Sequence, residues 1–245
     1  MQVFYISDLH LRPNSSAQIE RFIQFLKIPQ KNDVLILGGD IFDLFVGDKK
    51  IFINCFSNII QAVQDCSGRG VCAYYLEGNH DFHLSGVFAN QKNFYLYTDD
   101  FHFQFGGKKF WISHGDLIDK EDYGYRFLRF VTRTTPIKGL IKVLPEGFFV
   151  KLGRWSSKQS RKYNSVEIMS EPRIDRTKLL FREFAQAKFE QGYDFVFIGH
   201  SHIYDQLLLE LRGRRQEYLN LGFHAEKLLY AKYTFSGRGI EVQHL

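Results

Sequence analysis

The chain has 245 residues, 44% of them hydrophobic, 24% charged and only five proline. This composition excludes disordered, collagenous and coiled-coil proteins and predicts one large domain, or one domain carrying an insertion. The net charge is +5, but residues 120–182 alone hold fifteen Lys/Arg against six Asp/Glu, a local basic patch that either attracts phosphate groups or forms a solvated face.

Three cysteines, Cys55, Cys66 and Cys72, make no CxxC pair, so neither a disulfide partner nor a thiolate zinc site is expected and a reducing compartment is the default. Asp8 follows the first apolar run too closely for a signal peptide, and no stretch of about 18 uncharged apolar residues is present. Neither a leader nor a membrane span is therefore expected, and peripheral attachment stays open.

Taken in chain order, the elements carry one repeated feature. An apolar, strand-like run at 3–6 is followed by Asp8 and His10, and a helix is predicted over 16–26 after an Asn-Ser-Ser capping signal. A second run at 34–37 is followed by Asp40 and Asp43, and one helix is predicted over about 49–65. A third run at 71–76 precedes Asn79, His80 and Asp81; a fourth at 110–112 precedes His114 and Asp116; a fifth at 195–198 precedes His200 and His202. Continuous apolar runs suit strands buried on both faces, which places the chain in the α/β class. After His202 only strands are predicted, at 204–211, 217–221, 228–235 and 240–243, with a turn at 212–214, so this half should be mixed or antiparallel.

In an open α/β sheet, ligands collect at the carboxyl ends of the strands, so five polar clusters, each just past a strand, converge on one rim. Asp8, Asp40, Asn79 and four histidines supply oxygen and imidazole donors, a set suited to divalent manganese, iron or zinc. They are too many for one ion, since a single catalytic zinc uses three protein ligands. They divide around two if a carboxylate bridges, and Asp40 at the central turn is the bridge candidate. Two such ions can activate water and clamp a phosphoryl group. Gly39, Gly78, Gly115 and Gly199 flank the donors where the backbone must approach closely. Taken singly, His114 also reads as a core histidine, Asp43 as a capping or supporting residue, and His83, His102 and His244 as structural or surface positions; the reading of His224 stays open.

The motifs Asp8-Leu9-His10, Gly39-Asp40-Ile41-Phe42-Asp43, Gly78-Asn79-His80-Asp81, His114 and Gly199-His200-Ser201-His202 stand in the order found in the calcineurin-like metallophosphoesterases, which the sequence resembles from residue 1 to about 225. The resemblance implies layered mixed β-sheets flanked by helices, an α/β/β/α sandwich. It also implies a metal set: Asp8, His10 and His202 on one ion, Asn79, His114 and His200 on the other, Asp40 shared, and His80 as the acid or orienting group beside them.

Between His114 and His200 lie 85 residues, more than a sheet crossover requires, so an insertion is expected there. Its apolar and basic residues recur at roughly helical spacing, as in amphipathic helices that either seat on an anionic membrane surface or pack as a cap. Here the chain resembles the UDP-2,3-diacylglucosamine hydrolases of lipid A biosynthesis, through the segments 39–48, 114–129 and 154–161. That resemblance implies a helical cap over 119–184 inserted in a core of 1–118 and 185–245. It implies two divalent ions, manganese first with iron or zinc as alternatives, and a UDP-linked diacyl sugar lipid cleaved at its pyrophosphate to UMP and 2,3-diacylglucosamine 1-phosphate. Its substrate contacts would be Asn79, His80, Asp122, Tyr125, Arg129, Ser157, Lys158, Ser160, Arg161 and His200. The protein would lie on the cytoplasmic face of the inner membrane, with no nucleic-acid partner. His80 departs from the best-known branch of that family, which has Arg there. The alternatives are another phosphodiesterase of the superfamily, acting on a different nucleotide-linked, cyclic-nucleotide or nucleic-acid substrate, and a scaffold that has lost catalysis, which the complete donor set disfavours.

Overall fold

The computed structural model describes residues 1–47, 49–88, 90–145, 147–148, 151, 169–211, 213–224, 227–236 and 239–245. The fold is set by the alternation of side chains along its first strand, β1 (Gln2–Ile6). Phe4 and Ile6 point into one apolar cluster with Phe22 and Phe25 of α1 (Ser16–Phe25), while Val3 and Tyr5 point into another with Phe110, Phe195 and Phe197. Successive strand residues face opposite sides, so a strand apolar throughout must be covered on both.

The first sheet has the order β13-β12-β1-β2-β4-β6, with β2 (Val34–Leu37), β4 (Cys72–Leu76), β6 (Phe94–Tyr97), β12 (Leu229–Thr234) and β13 (Ile240–His244). β1, β2, β4 and β6 are mutually parallel, and the last two strands of the chain close the other edge antiparallel. The second sheet runs β10-β11-β9-β8-β7, from β7 (Phe101–Phe105), β8 (Lys108–Ser113), β9 (Phe195–Ile198), β10 (Asp205–Leu211) and β11 (Arg214–Asn220). A short parallel pair, β3 (Phe45–Val46) with β5 (Asp81–Phe82), lies between the loops after β2 and β4.

Helices α1, α2 (Lys50–Cys55), α3 (Ser57–Gly68) and α4 (Ser85–Phe88) contribute Phe22, Phe52, Ile59 and Phe88 to the cluster on the outer face of the first sheet. The sheets meet face to face, with the Tyr5 and Phe197 rings stacked 4.6 Å apart. On the far side the last helix, α7 (Glu171–Glu190), buries Phe181, Ala185 and Phe189 against Val196, Ile198 and Tyr218. The result is the expected α/β/β/α sandwich. Residue 185 falls inside this continuous helix.

Two local expectations change. The single helix over 49–65 is two, broken at Phe56, whose backbone leaves the helical region (φ −118°, ψ 22°) as its ring packs 4.7 Å from Phe42. The strands β6 and β7 add to the expected set: Tyr95 in β6 is half exposed at the sheet edge, and its neighbours lack the continuous apolar signature of a central strand. In the insertion, α5 (Tyr123–Thr132) and α6 (Thr135–Val143) are helical as expected. Ile141 of α6 joins the core cluster beneath it, and the buried Lys49 Nζ donates to the Leu144 carbonyl at the end of that helix (2.9 Å).

Candidate metal centre

The five clusters meet on one rim. Asp8 and His10 follow β1, Asp40 follows β2, and Asn79 and His80 follow β4, all in the first sheet; His114 follows β8 and His200 and His202 follow β9 in the second. Backbone bonds lock these loops together: Asp8 N–H donates to Gly39 O (3.0 Å), His10 N–H to Asp40 O (3.0 Å) and Gly199 N–H to His114 O (3.1 Å). Asp8, His10, Asp40, His200 and His202 all have positive φ, between 46° and 68°. Such left-handed non-glycine residues cost free energy and concentrate where a site over-determines them.

Among the described residues, three groups of donor atoms lie close enough to share a cation: Asp8, His10 and His202; His10, Asp40 and His80; and Asp40, His114 and His200. His10 Nε2 stands 2.9 Å from His202 Nε2. Asn79 Oδ1 is 3.0 Å from His114 Nε2 and 2.9 Å from His200 Nδ1. Asp40 lies between, one carboxylate oxygen 3.7 Å from His10 Nε2 and 3.5 Å from His114 Nε2, a placement that suits a shared ligand.

The donor set fits divalent ions on its own chemistry. Asp8 Oδ2 is buried with no hydrogen-bond partner among the described residues, a costly state for a carboxylate oxygen unless a cation neutralises it. Burial, reinforced by the neighbouring His80, holds His10 well below the usual histidine range, and burial with His114 pushes His200 down to about 4. Both are therefore neutral imidazoles with lone pairs to give, as metal binding requires. Burial pushes Asp8 up to about 7, with the Asp40 charge adding to it. Burial would also raise Asp40, but His114 and His80 outweigh it and hold the carboxyl well below its usual range. His114 is the reverse case: burial favours its neutral form, yet Asp40, Asp116 and Asp8 push it up to about 10.

Around the donors lies a scaffold that fixes their aim. Asp81, fully buried, accepts from the backbone N–H of Asp40 (3.0 Å), Ile41 (2.7 Å) and Gly78 (2.9 Å) and from the Tyr75 hydroxyl (2.7 Å). One carboxylate thus ties the Asp40 loop to the Asn79 loop. His114 Nδ1 meets Gly38 O (3.1 Å), leaving Nε2 toward the site, the arrangement by which a carbonyl sets the tautomer of a ligating histidine. Asp43 faces His10 Nδ1 (4.0 Å) and pairs with Arg12 (3.1 Å), the supporting place expected for it. His80 donates its backbone N–H to Asp40 Oδ1 (2.8 Å), and its ring Nδ1 meets Asp43 O (2.7 Å). Asn220 donates to Gly199 O (2.9 Å) and Ser201 Oγ (3.0 Å), bracing the loop that carries His200 and His202. A Cβ on Gly78 would collide with the Asp40 carboxylate, and one on Gly199 with that of Asp8.

Sequence reasoning places all seven donors and His80 on this rim but misses the parts played by Asp81, Arg12 and Asn220. Asp81 stands inside the Gly78-Asn79-His80-Asp81 motif, and Arg12 two positions past His10; Asn220 carries no local signal. His224 meets Leu221 O (3.0 Å).

The expected substrate contacts divide. Ser157, Lys158, Ser160 and Arg161 lie outside the described residues, as does the Tyr125 side chain. Asp122 is exposed just before α5. Arg129 lines a cavity of about 740 Å³ with Glu77, His83, Thr98, Asp99, Leu117, Arg126, Phe130, Arg133 and Thr134. This cavity abuts the centre: Arg133 donates to the carbonyl of Gly78 (3.2 Å), next to Asn79, and Arg129 pairs with Asp116. His83, expected to be structural or superficial, lines it too and meets Thr132 O (2.9 Å).

The family model for calcineurin-like phosphoesterases matches residues 1–204. A protein of Haemophilus ducreyi named UDP-2,3-diacylglucosamine hydrolase is 29% identical over 208 residues, 82% of this chain and 84% of that one. A protein of the same name from Klebsiella pneumoniae is 30% identical over 69% of this chain and 72% of its own. Among solved structures, an archaeal phosphodiesterase covers the whole of both chains at 14% identity, with a TM-score of 0.47.

Proposed function

From the premise that the chain belongs to the calcineurin-like phosphoesterase family and is a metal-dependent hydrolase, we propose that it cleaves the pyrophosphate bond of UDP-2,3-diacylglucosamine, releasing UMP and 2,3-diacylglucosamine 1-phosphate. The observation that carries this reading is the convergence of seven oxygen and imidazole donors on one rim, in a chain similar over most of its length to proteins named for that substrate.

Asp8, His10 and His202 would hold one divalent ion, Asn79, His114 and His200 the other, with Asp40 between them; the donors suit manganese, with iron or zinc as alternatives. Such ions, when bound, supply an activated water and a clamp on the phosphoryl oxygens. The chain's own groups do the rest. Asp81 and Asn220 hold the donor loops in place, so that little reorganisation is needed as charge develops. His80, fixed through Nδ1 on the Asp43 carbonyl, is placed to hold or pass a proton at the leaving oxygen.

The segment 119–184 serves as a cap, with the second half of α7 belonging to the core. Phe127 on α5 is 70% exposed and Val143 on α6 is 77% exposed, among the lysines and arginines of a basic segment. That pattern suits contact with acyl chains and an anionic membrane surface; no helix among the described residues is long and apolar enough to cross one. The protein would act on the cytoplasmic face of the inner membrane.

The test is mass-spectrometric detection of UMP from UDP-2,3-diacylglucosamine with manganese or with EDTA, against UDP-N-acetylglucosamine as the non-acylated control. UMP from the diacylated substrate alone, abolished by EDTA, is the expected result. Equal hydrolysis of both would remove the lipid specificity, and no UMP from either would overturn the substrate.

A further inference from the structure

The arginine-lined cavity offers the chemistry for the other half of that substrate. Eight of its ten lining residues carry polar or charged groups, with Leu117 and Phe130 beside them, so it offers partners for a phosphate and for sugar hydroxyls that an acyl chain would leave unused. Arg126, Arg129, Phe130 and Arg133 project from one face of α5 and the turn after it, at the i, i+3, i+4 and i+7 spacing that brings side chains together on a helix.

The three cations are not equivalent. Arg129 is spent within the protein, pairing with Asp116 and Asp99 and donating to Thr98 O (3.0 Å). Arg133 donates to Thr98 O (2.6 Å) and Gly78 O (3.2 Å) and stands 3.7 Å from Glu77. Arg126 donates to a single carbonyl, Leu117 O (3.1 Å), and has no carboxylate within 4 Å among the described residues. A guanidinium has five N–H donors, so most of its capacity remains for an anion in the cavity.

Resting on the reading above, we propose that this cavity is the subsite for the nucleoside monophosphate half of the substrate and that Arg126 is the residue that recognises its phosphate. Thr98 and Thr134 supply hydroxyls, and Asp99 a carboxylate, for the ribose and base, and the exposed Phe130 ring offers a face on which a base can stack. The acyl half is then left to the exposed apolar side of the cap. On this assignment Arg129 positions the cavity wall and does not touch substrate.

The experiment compares the binding of the two products, UMP and 2,3-diacylglucosamine 1-phosphate, by isothermal titration calorimetry on the manganese-loaded full chain, as wild type, Arg126→Gln and Leu117→Trp. Losing a charge-assisted hydrogen bond to phosphate should weaken UMP about tenfold or more in Arg126→Gln, with KM for the full substrate rising in step and affinity for the lipid product unchanged. Arg126→Lys should recover part of the loss. Leu117→Trp, which fills the cavity, should abolish UMP binding and spare the lipid product. Equal weakening of both products in Arg126→Gln, or undiminished UMP binding in either variant, would overturn the assignment. A wild type that binds UMP through Arg126 but neither binds the lipid product nor cleaves the diacylated substrate would retire the substrate reading and keep the nucleotide subsite.

Discussion

At the scale of single residues, Asp40 has the most demanding position in the molecule. Its carboxylate lies between two histidine groups while one of its oxygens accepts the His80 amide. Replacing it with alanine removes the donor between the two sides, so turnover of the diacylated substrate should fall by at least about 10³-fold. The fold should persist, because the apolar clusters on the two faces of the first sheet do not include this residue. Activity within tenfold of wild type would refute the shared-ligand assignment, and a circular-dichroism melt separates loss of chemistry from loss of structure. Gly78 tests the same geometry sterically. Alanine there presses on the Asp40 carboxylate, and Gly78→Ala should cost both activity and about 1–3 kcal/mol of stability, measured by urea unfolding.

The donors are legible in the sequence because each follows an apolar run: a strand delivers its trailing polar residues to the sheet's carboxyl edge, and five such deliveries in one chain converge. The scaffold is not legible in that way. Asp81 reads as a loop residue until the structure shows N–H groups from two loops and the Tyr75 hydroxyl of β4 converging on it.

At the scale of elements, strands buried on both faces declare themselves and edges do not. β1, β2 and β9 are continuous apolar runs whose bounds the sequence marks to within a residue, while β6, with Tyr95 half exposed, carries too mixed a signal. The break between α2 and α3 is illegible for a different reason: Phe56 suits a helix by local propensity, and only its packing against Phe42 and Phe45 turns the chain there. The second sheet also depends on a buried polar tie. Asp194, just before β9, accepts from the Lys109 N–H (2.9 Å) and the Arg214 guanidinium (2.9 Å), linking β8, β9 and β11. Asp194→Ala strands these donors and should cost about 2–3 kcal/mol. Burial alone would raise this carboxyl, but Arg214, the Lys109 amide and Lys108 together hold it below its usual value near 3.8. A carboxyl depressed in the fold stabilises above its unfolded pKa and loses that contribution as pH falls through the folded one. The difference in stability between wild type and Asp194→Ala should therefore be full at pH 6 and shrink below about pH 4; an unchanged difference at pH 3 would show that the carboxylate charge is not what the tie uses.

At the scale of the whole molecule, the donors come from both layers: Asp8, His10, Asp40 and Asn79 from the loops of the first sheet, and His114, His200 and His202 from those of the second. An ion held among them is bound by the folded sandwich and hardly at all by the unfolded chain, so its binding free energy adds directly to stability. At a manganese concentration about 100–1,000 times its Kd, the gain is about 3–4 kcal/mol, which for a domain of this size raises Tm by roughly 6–16 °C. EDTA should reverse the rise together with the activity, and manganese should restore both. Asp40→Ala, which takes away the group between the two sheets' contributions, should respond to manganese with much less than half of the wild-type shift. A melt of wild type that manganese and EDTA leave unmoved would mean that the rim does not bind the ion as a unit, and that the convergence of the two layers serves packing alone.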